Sequence, residues 1–136
     1  LDISDRALRA SRAALHEYIE AIRWIRADVP QYQPDRSWRL WHDRAVFHFL
    51  VDLEDRNAYR SVASSAVEPG GMLIVATFAP DGPEKCAGLD VRRYDVAALA
   101  AEFAPDFDLV EGRRIDPVAE VGDQRPYVGV ALRRAG

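Results

Sequence analysis

One cysteine, Cys86, is all the sulfur chemistry this 136-residue chain offers besides a single methionine. No intrachain disulfide can form, which fits a reducing compartment and a cytoplasmic location. No apolar run approaches 18 residues, so no stretch reads as a membrane-spanning helix. The chain opens on Leu1 without a signal-peptide pattern. The net charge of -4 gives no electrostatic reason to expect nucleic acid as a partner; the basic residues are nearly all arginine and are scattered. The three histidines and Cys86 lack metal-ligand spacing: His42 and His48 are six apart and Cys86 is distant, so no metal site is expected. There is no internal repeat and no low-complexity segment.

What is present is ordinary for one globular domain: 49% apolar and 29% charged residues. The organising stretch runs from Trp38 to Phe78. Trp38–His42 is a short apolar run that stops at Asp43-Arg44, and Ala45–Leu50 is apolar again. Asp52–Ala66 is polar and helix-like, Glu68-Pro69-Gly70-Gly71 is a hard turn, and Met72–Phe78 is a buried strand. Strand, loop, helix, turn and strand make a βαβ unit with a parallel pair. Ligands of open parallel sheets sit beyond the carboxyl ends of the strands, here His42-Asp43-Arg44 and Thr77-Phe78-Ala79.

Around that unit, Ser4 caps a helix expected from about Asp5 to about Glu20. Ile22–Ala27 alternates like a strand and ends at Asp28; Pro30 and Pro34 mark a loop. Ala79–Tyr94 is a long loop, a kind that is usually functional or disordered. Asp95 caps a helix through about Phe103. Asp106–Ile115 and Tyr127–Leu132 are β-rich and pair antiparallel across the turn-prone stretch Asp116–Pro126. Acidic residues thus fall at three successive strand ends: Asp2, Asp28 and Asp43. A carboxylate at one strand end can accept both hydroxyls of a ribose, and one on the next strand an amino N–H of a base. Together they suggest a nucleoside-bearing cofactor lying across the strand tips.

The ordered set LDIS (1–4), ADV (27–29), WHDRAVFHFL (41–50), VEPGG (67–71), the loop TFAPDGPEKCAGLDVRRY (77–94) and the closing hairpin resembles class I S-adenosylmethionine-dependent methyltransferases. It is particularly similar to a small bacterial group sharing the HDRAVFHFL and GPEKCxGL stretches. The resemblance covers essentially the whole chain. It implies an α/β, Rossmann-like fold with a mostly parallel sheet and a C-terminal antiparallel hairpin. It implies S-adenosylmethionine as cofactor and methyl transfer to an N, O or S nucleophile on a small molecule or protein side chain.

Carried over by position, Asp2 holds the ribose hydroxyls, Ile3 packs on adenine, and Asp28 reads the adenine amino group with Val29 beside it. His42, Asp43 and Arg44 meet the methionine end of the cofactor. Phe47, Lys85, Cys86 and Tyr94 are substrate contacts, and Asp43 and His48 the candidate bases. The family's first strand and glycine-rich loop have no counterpart, and no Gly-x-Gly occurs anywhere. The expectation is a single methyltransferase-like domain over 1–136, incomplete at its amino terminus and lacking half the cofactor pocket.

Blander readings stand beside these. Asp2 fits an ordinary acid at a helix start, Asp28 a turn former, and Asp43 a partner of Arg44 or Arg39. His48, between Phe47 and Phe49, fits a core histidine. Trp38, Trp41 and Phe49 read as core, and Arg92-Arg93 as a solvated edge. Two rival functions are open: a nicotinamide-dependent oxidoreductase, which also uses a strand-end acid on a ribose, and a non-enzymatic fragment that self-associates through an exposed sheet edge.

Overall fold

The computed structural model describes residues 1–117 and 124–136. Six strands and three α-helices run in the order α1 (Asp5–Ala14), β1 (Trp38–Arg44), α2 (Leu53–Ala66), β2 (Val67–Phe78), β3 (Lys85–Cys86), β4 (Leu89–Asp90), α3 (Val96–Ala101), β5 (Phe107–Ile115) and β6 (Tyr127–Arg134). Short 3₁₀ turns occupy His16–Ala21, Val29–Gln31 and Phe47–Phe49. The main sheet has the order β1-β2-β6-β5: β1 and β2 are parallel, while β6 is antiparallel to both β2 and β5.

The βαβ unit forms because α2 covers one face of its own sheet. Tyr59, Val62, Ala63 and Ala66 line the buried side of α2 at helical spacing. They meet Leu73 and Val75 of β2, with Val128, Val130 and Leu132 of β6 in the same core. In α3, Leu99 joins this core, followed by Phe103 and Phe107. Asp95 starts α3 by accepting the N–H of Ala98 at 2.7 Å. The opposite face of the sheet is thinner: Leu40 is 54% exposed, and Met72 and Ile74 are half-buried.

Several boundaries differ from expectation, each for a local reason. The first helix stops at Ala14, and His16–Ala21 tightens to 3₁₀. No residue of either piece is buried, and helices take most of their stability from packing an apolar face. The strand expected over Ile22–Ala27 shrinks to one parallel bridge, Arg26 with Asp2. β1 runs on through Asp43 to Arg44, because both still pair with β2.

The Glu68–Gly71 turn sits inside β2 as a bulge. Trp38 faces Val67 and Leu40 faces Met72, so two steps on β1 span five on β2. Gly70 has φ +77°, and a Cβ on Gly71 would lie 2.8 Å from the Glu68 carbonyl oxygen, so the bulge needs both glycines. The 79–94 loop contains the β3–β4 hairpin, closed by Ala87 and Gly88 at φ +51° and +83°. β5 and β6 pair as expected; residues 118–123 of the connection lie outside the described residues.

Candidate functional site

A single parallel bridge pairs Asp2 with Arg26, two residues before Asp28. Asp2 N–H donates to the Ile25 carbonyl and Ala27 N–H to the Asp2 carbonyl, both at 3.1 Å. Asp28 therefore lies two residues beyond the partner of Asp2, on a neighbouring parallel segment. Asp2 Oδ1 accepts the Ser4 N–H at 2.7 Å, which fixes the side chain and leaves Oδ2 for a ligand. Asp28 precedes the Val29–Gln31 turn without capping it through its side chain. Ile3, beside Asp2, is 64% exposed. Val29 is different: it is buried in the core against the α2 side, so it anchors Asp28 rather than offering a surface to a ligand.

Asp43 is an interior strut. Its Oδ1 accepts the Val46 N–H at 2.9 Å; its Oδ2 accepts the Phe47 N–H at 3.0 Å and the Tyr59 hydroxyl at 2.7 Å. Trp41 Nε1–H donates to the same Tyr59 oxygen at 3.1 Å. Burial raises the Asp43 pKa, opposed by the Tyr59 hydroxyl and the two backbone donors. Tyr59 is itself pushed well above the usual tyrosine range by burial and by Asp43. A carboxylate engaged by three internal donors is not placed to take a substrate proton, which corrects the expectation of a base at Asp43. What it does is hold the turn after β1, where Ala45 takes the left-handed φ of +64°.

Phe47 and Tyr94 are likewise corrected as substrate contacts. Phe47 is fully buried and packs on Tyr59, Tyr94 and Phe103 with ring centroids 4.9, 5.8 and 5.0 Å away. Tyr94 is buried too, and its hydroxyl lies 3.4 Å from Glu102 Oε1. Both support the loop from beneath.

The loop's far end is held by Arg56, whose Nη1 donates to the carbonyls of Val51 and Leu50 at 2.6 and 3.2 Å. Arg56 Nε is 3.3 Å from Glu102 Oε1, close enough for charge pairing without a well-aligned hydrogen bond. Sequence reasoning missed Tyr59, Arg56 and Glu102. Tyr59 and Arg56 sit in the polar helix α2, where only the 3.6-residue spacing marks them as inward-facing, and Glu102 is the residue that closes α3.

His48 lies between these two clamps. Its carbonyl accepts the Arg92 N–H at 2.8 Å, and its ring sits 4.6 Å from both Phe49 and Phe78. The ring is buried, and neither nitrogen has a hydrogen-bond partner. Burial, with the Arg125 charge adding, depresses its pKa from 6.5 to about 4, so the imidazole is neutral at pH 7. His42 and Arg44 point to the exposed face of β1, away from Asp43; the Arg44 guanidinium lies 5.3 Å from the Tyr127 ring centroid. On the hairpin, exposed Lys85 pairs with Asp90 at 3.3 Å, and Cys86 Sγ accepts from Arg125 Nη1 at 3.5 Å.

A separate cleft of about 510 Å³ lies between α2, the α3–β5 turn and Arg134 at the end of β6. Its polar groups satisfy one another: Ser64 donates to Asp106 at 2.7 Å and Arg60 to the Glu102 carbonyl at 2.8 Å. Among the described residues, no group of three or more His, Cys, Asp or Glu is placed to hold a metal ion, and no helix is long and apolar enough to cross a membrane.

No family model matches the chain, and no curated protein matches it. Solved structures do. The N-methyltransferase NodS from Bradyrhizobium japonicum WM9 aligns with a TM-score of 0.74 at 14% identity, over 99% of this chain and 71% of NodS. The 1,6-didemethyltoxoflavin-N1-methyltransferase of Burkholderia thailandensis, with bound 1,6-didemethyltoxoflavin and S-adenosylhomocysteine, aligns at 0.74 and 17% identity, over 93% of this chain and 56% of that enzyme. An S-adenosylmethionine-dependent methyltransferase from Mesorhizobium loti aligns at 0.72 and 19% identity, over 97% and 77%. At these identities the likeness establishes the fold, that of class I methyltransferases.

Proposed function

We propose that this chain carries the nucleoside-holding part of an S-adenosylmethionine site and serves methyl transfer to an N, O or S nucleophile. The observation that carries the reading is the Asp2–Arg26 bridge, which pairs the segment that carries Asp2 in parallel with the one that leads to Asp28, in a methyltransferase fold. The donor set fits the nucleoside half of the cofactor. Asp2 keeps Oδ2 for ribose hydroxyls, exposed Ile3 offers an apolar edge to the base, and Asp28 can accept an amino N–H. For the amino-acid half the chain offers no glycine loop. His42 and Arg44, exposed at the carboxyl end of β1, are the residues we assign to it.

When bound, the cofactor supplies a methyl group already activated by the sulfonium. The protein's work is then alignment and exclusion of water rather than covalent chemistry. Asp43, Tyr59 and Arg56 are positioning residues that fix the 44–51 loop. Lys85 and Cys86, on the hairpin after β2, are assigned to the acceptor, a small molecule or a protein or peptide side chain.

Calorimetric titration with S-adenosylhomocysteine tests the reading. The expected result is micromolar binding, about −8 kcal/mol, lost in Asp2→Asn. Binding that survives Asp2→Asn unchanged would sink the assignment of the ribose contact, and no binding would sink the claim that this chain alone holds the nucleoside.

One observation favours a second reading, self-association: among the described residues β1 has a strand neighbour on one side only, and Leu40 on it is exposed. Light scattering decides this. A mass of 15.3 kDa excludes pairing through that edge, and twice that mass supports it.

A further inference from the structure

The sheet has a second open edge, β5, on the side away from β1. Among the described residues β5 pairs only with β6, and eight of its nine residues are exposed. Leu109, Val110 and Ile115 are among them. Open edges invite another strand, and natural proteins block them with charge, bulges or covering segments. The charges here do not block. Arg114 is already paired with Asp81 and Asp116, at 2.8 and 2.5 Å, and Asp108 stands opposite Arg133 in the ladder. That leaves Glu111 and Arg113. They stand opposite Ala131 and Gly129 of β6, and neither makes an ion pair or a side-chain hydrogen bond among the described residues. Two unpaired charges of opposite sign therefore lie two positions apart, on one face of an open strand.

We infer that β5 pairs antiparallel with β5 of a second copy of this chain, in a register centred on Gly112. The register follows from the alternation of side chains. Opposite residues of an antiparallel pair point to the same face. A twofold axis perpendicular to the sheet keeps the two faces apart, so the register must be centred on a residue that meets its own copy. Centred on Glu111 it opposes two carboxylates, and centred on Arg113 two guanidinium groups; like charges directly opposite destabilise a pair. Centred on Gly112 it sets Glu111 of each copy opposite Arg113 of the other, and symmetry makes two ion pairs. The bulge at Val110 confines regular pairing to the residues from Glu111 onward, so the association is weak and depends on concentration. α3 lies beneath this part of β5, with Val96 against Gly112. Its exposed residues are Ala97, Ala98 and Ala101, so no bulky side chain of α3 guards the edge. The inference does not rest on the methyl-transfer reading, and it uses the sheet edge opposite to the one that carries Leu40.

Sedimentation equilibrium of the 136-residue chain over a range of concentrations tests this. The parent should move from 15.3 kDa toward twice that mass. Glu111→Arg alone and Arg113→Glu alone each turn both ion pairs into like-charge contacts. Each should raise the dimer dissociation constant roughly tenfold or more. The double exchange, Glu111→Arg with Arg113→Glu, should restore the parent's association. An equimolar mixture of the two single variants should associate where neither does alone. Leu40→Lys on β1 should change nothing. A parent still monomeric at about 1 mM overturns the inference, as does a dimer indifferent to both single exchanges or a double exchange that stays monomeric. A dimer lost in Leu40→Lys also overturns it and assigns the association to the β1 edge. If one single variant loses its fold, the other and the double exchange decide. The cofactor reading fails separately: absence of S-adenosylhomocysteine binding leaves these masses as expected, and a monomeric parent leaves the titration as expected.

Discussion

His48 and Asp43 are two buried polar residues held in different ways, one in the 44–51 loop and one near the end of the strand that leads into it. His48 is neutral in the folded protein because its pKa is depressed to about 4, against 6.5 when exposed. Between those values the unfolded chain binds the proton and the folded chain does not. Stability is therefore full above about pH 6.5 and falls as pH is lowered toward 4, by up to about 3 kcal/mol. Urea unfolding across that range should show the slope in the parent and a flatter profile in His48→Leu. Tyr59→Phe removes the hydroxyl that donates to Asp43 and accepts from Trp41. It should cost about 1.5–3 kcal/mol, the range for a hydrogen bond to a charged group, read as a lower urea midpoint with unchanged slope. The sequence marked Asp43 as unusual, because an acid directly after an apolar run is unexpected. It could not show that the partner would be Tyr59, sixteen residues on and one α2 turn above the loop. Tertiary partners of this kind leave no local pattern.

Among the elements, legibility followed packing. α2 was readable because one stripe of it is buried, and the α3 start because Asp95 caps it through its own neighbour Ala98. The Ile22–Ala27 alternation predicted a strand, but a strand exists only where another strand pairs with it, and here one residue of it is paired. The contact between α3 and β5 shows the same dependence at close range. A Cβ on Gly112 would lie 2.2 Å from Val96 Cγ1. Gly112→Ala should therefore destabilise by roughly 1–3 kcal/mol through overpacking. Val96→Ala in the same chain should recover part of that loss, a coupling that a double-mutant cycle in urea measures directly.

For the molecule as a whole, the ordered motifs carried the fold class further than periodicity could, since the α/β architecture and the closing hairpin both rest on long-range pairing. The buried partners, Tyr59 for Asp43 and Glu102 for Arg56, were not legible, because each is distant in sequence from the residue it meets. The body and the amino-terminal segment also differ in kind. Val29 is the first residue from the amino terminus that is buried in the core; none of residues 1–28 is. Local stability tracks buried contacts, so hydrogen exchange should be fast throughout α1 and slow in β2 and β6. Added S-adenosylhomocysteine should slow exchange at Asp2 and Ala27, and protection that starts equal in α1 and β2 would contradict this picture.

The isolated bridge has a thermodynamic consequence. Asp28 is rooted through Val29, but Asp2 is joined to its neighbour by two backbone hydrogen bonds in a segment with no core of its own. A ligand that engages both carboxylates must immobilise the first of them as it binds. Binding would then be enthalpy-driven, with an unfavourable entropy and a negative heat-capacity change larger than the contact surface alone accounts for. Covalently fastening the Asp2 segment to the Arg26 segment would leave the enthalpy nearly unchanged and tighten binding through entropy.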